Sequence, residues 1–578
     1  MMAKIRKIIG HDLPSYVKQY GFVVGIKNII QTKLERLSAK KESEKVVLLK
    51  KLLSEKTIII LTSPHCLFVA QLLKEEFKYF GFKVTISDTY QLINHNCLHI
   101  VIAPQMFKPL PQYYIAFQME QSVSSRWFTR KYFNILKKAL LIFDYSQDNI
   151  AFLVAHGIGL KKIQFLPIGF SENYSDYYQT LKYENANKKY DITFYGDIKN
   201  KRRENFISEI SKSHNVNVCN EVFGKDITDI IAQSKIVLNI HYYENALLET
   251  TRIYESLSLN TLVISEQSSD QQYYQHLEDI VEFVPINDIA LMNSTISFWL
   301  NHPEELAHKI NSNRHKLIMR SNIFNNSFAR FLLAYNIIEA KDCNLIHEAA
   351  SWTQELSVPF YCLSILETPH RRSDFLNDNH YKIKICDGVK HLIGWVGCGM
   401  SFQYIIQKAH EEKCDMVIIC EDDALFAENF GNRISSILQY LKSHSKKWDI
   451  YSGMLVDVPE DTTILAIDNY EQEKFVFLDK IISMVFNIYN ASSFHKIMQW
   501  NEHKANNPNI ANTIDEYIKH SGLKFVTSYP FLVSHKEDSS STIWGNNVKN
   551  RLIYQYRFKK ALELLKSKIT QFETRGTT

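Results

Sequence analysis

The sequence predicts an α/β protein built on doubly wound, mostly parallel sheets, and three observations predict it. Short apolar runs rich in β-branched residues recur along the chain, among them Thr57–Leu61, His99–Ala103, Lys235–Ile240 and Met416–Cys420. Runs of this length read as strands buried on both faces. Helical periodicity fills the gaps between them, as in Val69–Phe80 and Arg252–Leu259, and strands alternating with helices imply βαβ units. Acids, arginines and small residues gather directly after the apolar runs, where ligands bind in an open α/β sheet.

The 578 residues are too many for one core, and length suggests about three or four domains. Hydrophobic residues make up 45% and charged residues 22%, so bulk disorder is excluded. A net charge of only +5 speaks against a general nucleic-acid binder. The nine cysteines are scattered, with no CxxC pair, which suits buried free thiols in a reducing cytoplasm. No apolar run reaches the length of a membrane span, and the N-terminus lacks the usual secretory signal pattern.

In chain order, residues 1–50 read as helical. Their first 37 mix Lys4, Arg6, Lys7 and Lys18 with Phe22, Val23 and Ile26, a pattern that suits peripheral contact with an anionic membrane or packing on the next domain. A first Rossmann-like half is expected over 51–175, with strands at 57–61, 83–86, 99–103, 114–118, 139–143 and 163–167. A polar, tyrosine-rich linker follows at 171–189. A second half is expected over 176–345, starting at the strand Tyr190–Tyr195, and a cleft between two such halves is a default nucleotide site. A third block is expected over 355–548, opening on Pro359–Ile365, before a basic amphipathic tail at 549–578.

The third block carries the densest chemistry. Glu421, Asp422 and Asp423 follow the run Met416–Cys420 at once. Three adjacent acids repel, and a hard divalent cation relieves the repulsion; the bland alternative is a solvated acidic turn. Arg371 and Arg372 follow the block's first strand, and guanidinium forks match phosphate oxygens. Gly394, Gly397 and Gly399 precede Ser401 near a helix start, where small residues allow close approach of an anion. Asp515 and Glu516 open a later helix, as candidate general bases or as ordinary first-turn acids. His535 closes the last apolar run, as a candidate ligand or a hydrogen-bonded surface histidine.

Taken in order, Arg-Arg after the first strand, Gly-Cys-x-x-Ser before a helix, hydrophobic-Glu-Asp-Asp-Ala, Trp448-Asp449-Ile450, and Pro530-x-Leu-Val with its Ser-Ser-x-Ile tail resemble glycosyltransferase family 25, over 359–547. The resemblance implies a GT-A-like nucleotide-sugar domain. It further implies Mn²⁺ or Mg²⁺ held by Glu421, Asp422 and Asp423 with His535, Asp423 being the best single ligand. Arg371, Arg372 and Ser401 would bind the donor, and Asp515 or Glu516 would deprotonate the acceptor. One departure is Ser401-Phe402, where the family often has Ser-His.

The first two blocks resemble group 1 glycosyltransferases of the spore-coat maturation type. The residues that carry this are Asp191–Gly196 with Arg202 and Arg203, then Ser234–His241, Thr251-Arg252-Ile253-Tyr254-Glu255-Ser256-Leu257 and Leu262–Glu266. The resemblance implies a GT-B-like pair of Rossmann-like halves that needs no metal. Gly196, Arg202, Arg203 and Arg252 would serve the diphosphate, and Glu255 the ribose hydroxyls. The departure is Leu259-Asn260, where the family usually has glycine; Asn tolerates the left-handed conformation.

The expectation is a cytoplasmic, bifunctional glycosyltransferase acting at the inner face of the plasma membrane. It would move sugars from nucleotide-sugar donors to an oligosaccharide or lipid-linked glycan acceptor, such as lipopolysaccharide or capsule. Competing readings are one active GT-A-like module on an inactive GT-B-like scaffold, a metal-dependent nucleotidyltransferase or phosphatase, and a non-catalytic glycan-binding module.

Overall fold

The computed structural model describes residues 42–89, 97–123, 126–177, 187–320, 323–348, 354–503, 512–536 and 548–575. The basic segment 1–37, part of the central linker and the serine-rich stretch after His535 lie outside the described residues. The chain divides into two compact units, 1–55 and 56–578. In the first, residues 42–54 are helical. The second unit carries every strand of the described residues.

Its first sheet holds six parallel strands: β1 (Thr57–Leu61), β2 (Lys83–Ser87), β3 (Leu98–Ile102), β4 (Tyr114–Gln118), β5 (Leu141–Asp144) and β6 (Ile163–Phe165). Their order is β2-β1-β3-β4-β5-β6, so the chain reverses direction across the sheet between β1 and β3. All residues of β3, β4, β5 and β6 are buried, as runs without polar alternation require.

The second sheet is also parallel: β7 (Tyr190–Tyr195), β8 (Val216–Cys219), β9 (Ser234–Asn239), β10 (Leu262–Glu266) and β11 (Glu282–Val284) in the order β11-β10-β9-β7-β8. The helix Thr250–Ser258 leads into β10. Asn260 ends that helix at φ +56°, with its N–H donating to the Leu257 carbonyl and the Thr261 N–H to that of Ser256. This is the left-handed turn for which asparagine is the best substitute after glycine.

The third sheet is mixed and has nine strands: β12 (Ile346–Glu348), β13 (Phe360–Ser364), β14 (Lys384–Asp387), β15 (Met416–Glu421), β17 (Ile450–Ser452), β18 (Ile464–Tyr470), β19 (Glu473–Leu478), β20 (Phe486–Asn490) and β21 (Phe525–Tyr529). β15 runs parallel to β13 and antiparallel to β20 at its centre. A two-stranded ribbon of β16 (Ala424–Phe426) and β22 (Val533–His535) pairs Ala424 with His535. That pairing returns the end of the block to the acidic triplet.

The first and third sheets meet at a buried ion pair. Arg330, on the helix Ile323–Ala334, donates to both oxygens of Glu367, at 2.5 and 3.2 Å, and to the Gly388 carbonyl at 3.1 Å. Glu367 also accepts the N–H of Phe165 in β6 at 2.8 Å. Both charged side chains are 0% exposed. The tail forms the helix Val548–Arg575, which buries Ala561, Leu565 and Ile569 on one stripe. Lys568 donates to the Glu460 carbonyl and Lys474 pairs with Glu573 at 2.6 Å, so the tail docks on this block. Among the described residues no two cysteines are joined, and seven of the nine are buried.

Candidate active sites

Two cavities carry the chemistry. The first, of about 460 Å³, lies between the first two sheets at the carboxyl ends of their strands. His65 follows β1, Gln121 follows β4, Tyr145 follows β5 and Gly196 follows β7 around its wall. The helix Thr250–Ser258 presents its N-terminus there through Thr250, Thr251 and Arg252. Early helical N–H groups lack intrahelical acceptors, so this end of the cavity favours an anion.

Gly196 explains how the cations come so close. Its φ is +136°, and a Cβ there would stand 2.9 Å from Arg252 Nη2 and 3.4 Å from Arg203 Nη1. Arg252 donates through Nη1 to Asn239 at 2.5 Å and to Glu249 at 3.1 Å, while its Nε is buried with no hydrogen-bond partner among the described residues. Glu249 also accepts from Arg203 at 3.0 Å and lies 3.2 Å from His241 Nδ1. Burial alone would raise the Glu249 carboxyl; Arg252, His241 and Arg203 outweigh it and hold it far below the usual range. Glu255 lines the cavity and accepts from Tyr174 at 2.7 Å and Tyr195 at 3.0 Å. Burial raises its carboxyl despite those hydroxyls.

Of the five residues expected here, the structure brings Gly196, Arg252 and Glu255 to the cavity wall. Arg203 sits just behind it, tied to Glu249 and to the carbonyls of Ile240 and Asp197. Arg202 turns the other way: it forms a two-pronged pair with the buried Glu266 and donates to the His241 carbonyl. Glu249 was not singled out from the sequence; an acid three residues before an arginine at a helix start is the signal that marks it.

The second cavity, of about 100 Å³, opens at the end of β15. Glu421, Asp422 and Asp423 all line it, with Arg371, Lys390 and Cys398. Arg371 Nη2 bridges Asp422 and Asp423, at 2.7 Å from Asp423 Oδ2. Asp422 also accepts from Ser364 at 2.7 Å. His535 Nε2 stands 3.2 Å from Asp423 Oδ2, delivered there by the β16–β22 pairing. Asp423 Oδ1 is buried and has no hydrogen-bond partner among the described residues.

These contacts divide the triplet's protons unevenly. Burial works against the Asp423 charge, but Arg371 and His535 hold that carboxyl far below the usual range. Burial, then Asp423, pushes Glu421 up to about 8. Burial lowers the His535 imidazole less than Asp423 raises it, so it sits above its ordinary value. One acid of the three therefore carries a proton near neutrality while Asp423 stays charged.

The remaining expected residues are placed as follows. Arg372 faces away from the cavity, donating to the Ser364 carbonyl at 2.9 Å and to Asp387 at 2.8 Å, a brace between β13 and β14. The Ser401 hydroxyl accepts the Val389 N–H at 2.8 Å and donates to the Gly397 carbonyl at 2.6 Å, so it holds a loop rather than reaching into open space. Glu516 pairs with Lys519 at 3.0 Å. Asp515, on the same short helix, acts on the Cys398 thiol, which burial and then Glu421 and Asp515 push far up. Lys390 was missed from the sequence; its position after the carboxyl end of β14 is the only signal it gives.

By donor type the carboxylate oxygens of this corner suit Mn²⁺ or Mg²⁺, and Asp423 Oδ1 is a buried acceptor without a partner among the described residues. Among the described residues no three His, Cys, Asp or Glu side chains are arranged to enclose an ion; Arg371 supplies the positive charge between the aspartates.

Comparison with known proteins follows the same division. Residues 179–332 match the family model described as glycosyl transferase-like, and residues 315–522 match glycosyltransferase family 25 (LPS biosynthesis protein). The chain joins two glycosyltransferase-type segments. Among curated proteins it is similar to uncharacterized protein L140 of Acanthamoeba polyphaga mimivirus, 29% identical over 210 residues, which are 32% of this chain and 62% of that protein. It is also similar to uncharacterized protein L137 of the same virus, 32% identical over 134 residues, 22% of this chain and 16% of that protein. This chain thus spans less than two thirds of either relative. Among solved structures, WaaG, a glycosyltransferase involved in lipopolysaccharide biosynthesis, aligns at a TM-score of 0.34 and 12% identity over 49% of this chain and 99% of that one. Anabaena Alr3699/HepE in complex with UDP and glucose aligns at 0.34 and 10% over 48% and 99%.

Proposed function

We propose that this protein is a bifunctional glycosyltransferase that takes nucleotide-sugar donors in both cavities and builds a surface glycan of the lipopolysaccharide or capsule kind. The observation that carries the reading is that each of two glycosyltransferase-type segments gathers charged groups at the carboxyl ends of its strands, around a cavity.

In the first cavity Arg252 and the N-terminus of its helix would take the donor diphosphate, and Glu255 the ribose hydroxyls, through lone pairs left after its two tyrosine bonds. Fixed cations there stabilise charge as it develops on the leaving diphosphate. In the second, Asp423 through Oδ1, with Glu421, Asp422 and His535 beside it, would hold Mn²⁺ or Mg²⁺. Such an ion supplies charge neutralisation to a departing diphosphate. Asp515, whose charge acts on the Cys398 thiol at the cavity wall, is the better candidate to accept the acceptor hydroxyl's proton, because Glu516 is paired with Lys519. Joining two transferases in one chain raises the effective concentration of the first product at the second site.

The tail's apolar stripe is buried on its own block, so peripheral contact with an anionic membrane is assigned to the basic segment 1–37. No helix among the described residues is long and apolar enough to cross a membrane.

The test is a panel of nucleotide sugars scored for donor turnover, with and without Mn²⁺, in wild type, Asp423→Ala and Glu255→Ala. Two consumed donors, each lost in one variant only, support two active sites. Loss of both donors in either single variant counts against bifunctionality, and turnover of nucleoside triphosphates without sugar transfer favours the nucleotidyltransferase reading.

A further inference from the structure

Lys390 is the conspicuous side chain that the reading above does not use. It is 6% exposed and lines the second cavity. Among the described residues its ammonium has no hydrogen-bond or ion-pair partner. The acid whose charge acts on it is Glu367, without a direct contact. Glu367 does not need it, since both its oxygens already receive Arg330 and one also receives the Phe165 N–H. The other cations around this corner are engaged: Arg371 on two aspartates, Arg372 on Asp387, His535 on Asp423.

A lysine this nearly buried whose ammonium has no partner is unfavourable, so a fold that holds one in a fixed place favours a counter-charge beside it. Here the place is fixed with care. Gly397 packs so tightly on the loop bearing Lys390 that a Cβ would stand 2.3 Å from the Val389 carbonyl oxygen and 3.1 Å from the His391 nitrogen. Ser401 holds the Val389 N–H on one side of Lys390, and the Ile393 N–H donates to His391 Nδ1 at 3.0 Å on the other. The glycine and serine of the Gly-Cys-x-x-Ser stretch thus act on the loop, and the loop carries the lysine.

We propose that Lys390 is a phosphate-binding residue of the second cavity, its ammonium meeting a non-bridging oxygen of the donor diphosphate, with Gly397 and Ser401 as positioning residues. The assignment rests on the reading of this cavity as a diphosphate site. The ligand supplies the missing negative charge, and a compact ammonium with three donors suits a tetrahedral phosphate.

The test uses the full chain carrying Arg252→Gln, which mutes the first cavity, and inorganic pyrophosphate with Mg²⁺ as the probe in calorimetry. Lys390→Gln is expected to weaken binding about tenfold or more, and Lys390→Arg to retain most of it. Thermal melting separates this from a structural role. A ligand-binding lysine predicts that Lys390→Met melts no lower than its parent without pyrophosphate yet loses the rise that pyrophosphate gives. A melting temperature that falls without ligand, with the rise intact, assigns Lys390 to the junction with Glu367 and overturns the proposal. Unchanged affinity in Lys390→Gln overturns it while leaving the cavity's reading in place. No pyrophosphate binding in the parent at all removes that reading and the proposal with it.

Discussion

Replacing Arg330 by Met tests the joint between the first and third sheets. The substitution keeps a long apolar stem and deletes the guanidinium. Glu367 then remains fully buried, with the Phe165 N–H as its hydrogen bond and the charge otherwise uncompensated. Breaking a buried pair from one side typically costs about 3–5 kcal/mol, because the surviving charge keeps its desolvation penalty. For a cooperative unit of about 150–250 residues each kcal/mol moves Tm by about 2–4 °C, so a loss of about 6–20 °C is expected. The double variant Arg330→Met/Glu367→Gln removes the stranded charge but keeps an acceptor for Phe165, and it is expected to recover to within about 1–2 kcal/mol of wild type. Urea melts followed by circular dichroism measure all three proteins. A single variant within about 1 kcal/mol of wild type, or a double variant no better than the single, refutes the argument that this pair is held by mutual compensation.

Gly196→Ala places a Cβ 2.9 Å from Arg252 Nη2 at φ +136°; strain of about 1–3 kcal/mol and a displaced guanidinium should weaken donor binding in the first cavity while the second keeps its affinity, as titration calorimetry will show. Gly397→Ala adds a Cβ against a backbone carbonyl that cannot give way, so pyrophosphate affinity in the second cavity should fall about as far as for Lys390→Gln. Asp144 is fully buried, and burial pushes its carboxyl up to about 7 despite bonds from Ser146, Gln118 and Asn149. The folded state then binds a proton that the unfolded chain has lost between about pH 4 and pH 7, so this group's contribution is greatest below pH 4 and falls as pH rises, by at most about 4 kcal/mol; Asp144→Asn should flatten that slope in urea melts between pH 5 and 8, and an unchanged slope removes Asp144 as its source.

The strands were legible because a run such as Met416–Cys420 has no other economical use than a buried position in a parallel sheet. The cleft followed from topology, since two parallel sheets that each end their strands in polar loops leave those loops facing one another. Side-chain direction was not legible. Arg202 and Arg203 are neighbours on one helix, yet about 100° of rotation separates them. Arg202 finds Glu266 and Arg203 finds Glu249. The pair Arg371 and Arg372 divides the same way, one to the acids and one to Asp387. The partners lie 15 to 64 residues away in sequence, where no local pattern reaches. Lys390 escaped for a related reason: a lone lysine in a loop is unremarkable until its surroundings are known to leave it without a counter-charge.

The two cavities show inverse solutions to one difficulty. In the first, a carboxylate, Glu249, stands among Arg203, Arg252 and His241 and lets cations crowd a space too dry to tolerate them alone. In the second, a guanidinium, Arg371, stands between Asp422 and Asp423 and lets acids crowd in the same way. In each site a charge of the opposite sign offsets part of the desolvation penalty of the clustered charges. Among the described residues each also leaves a buried polar atom without a hydrogen-bond partner, Arg252 Nε in the first and Asp423 Oδ1 in the second. The first lacks an acceptor for Arg252, as an arriving phosphate provides, and the second lacks a donor or a cation for Asp423 and a counter-charge for Lys390. Both segments would thus meet a departing diphosphate with positive charge, the first through fixed arginine and the second through Lys390 and a cation at Asp423.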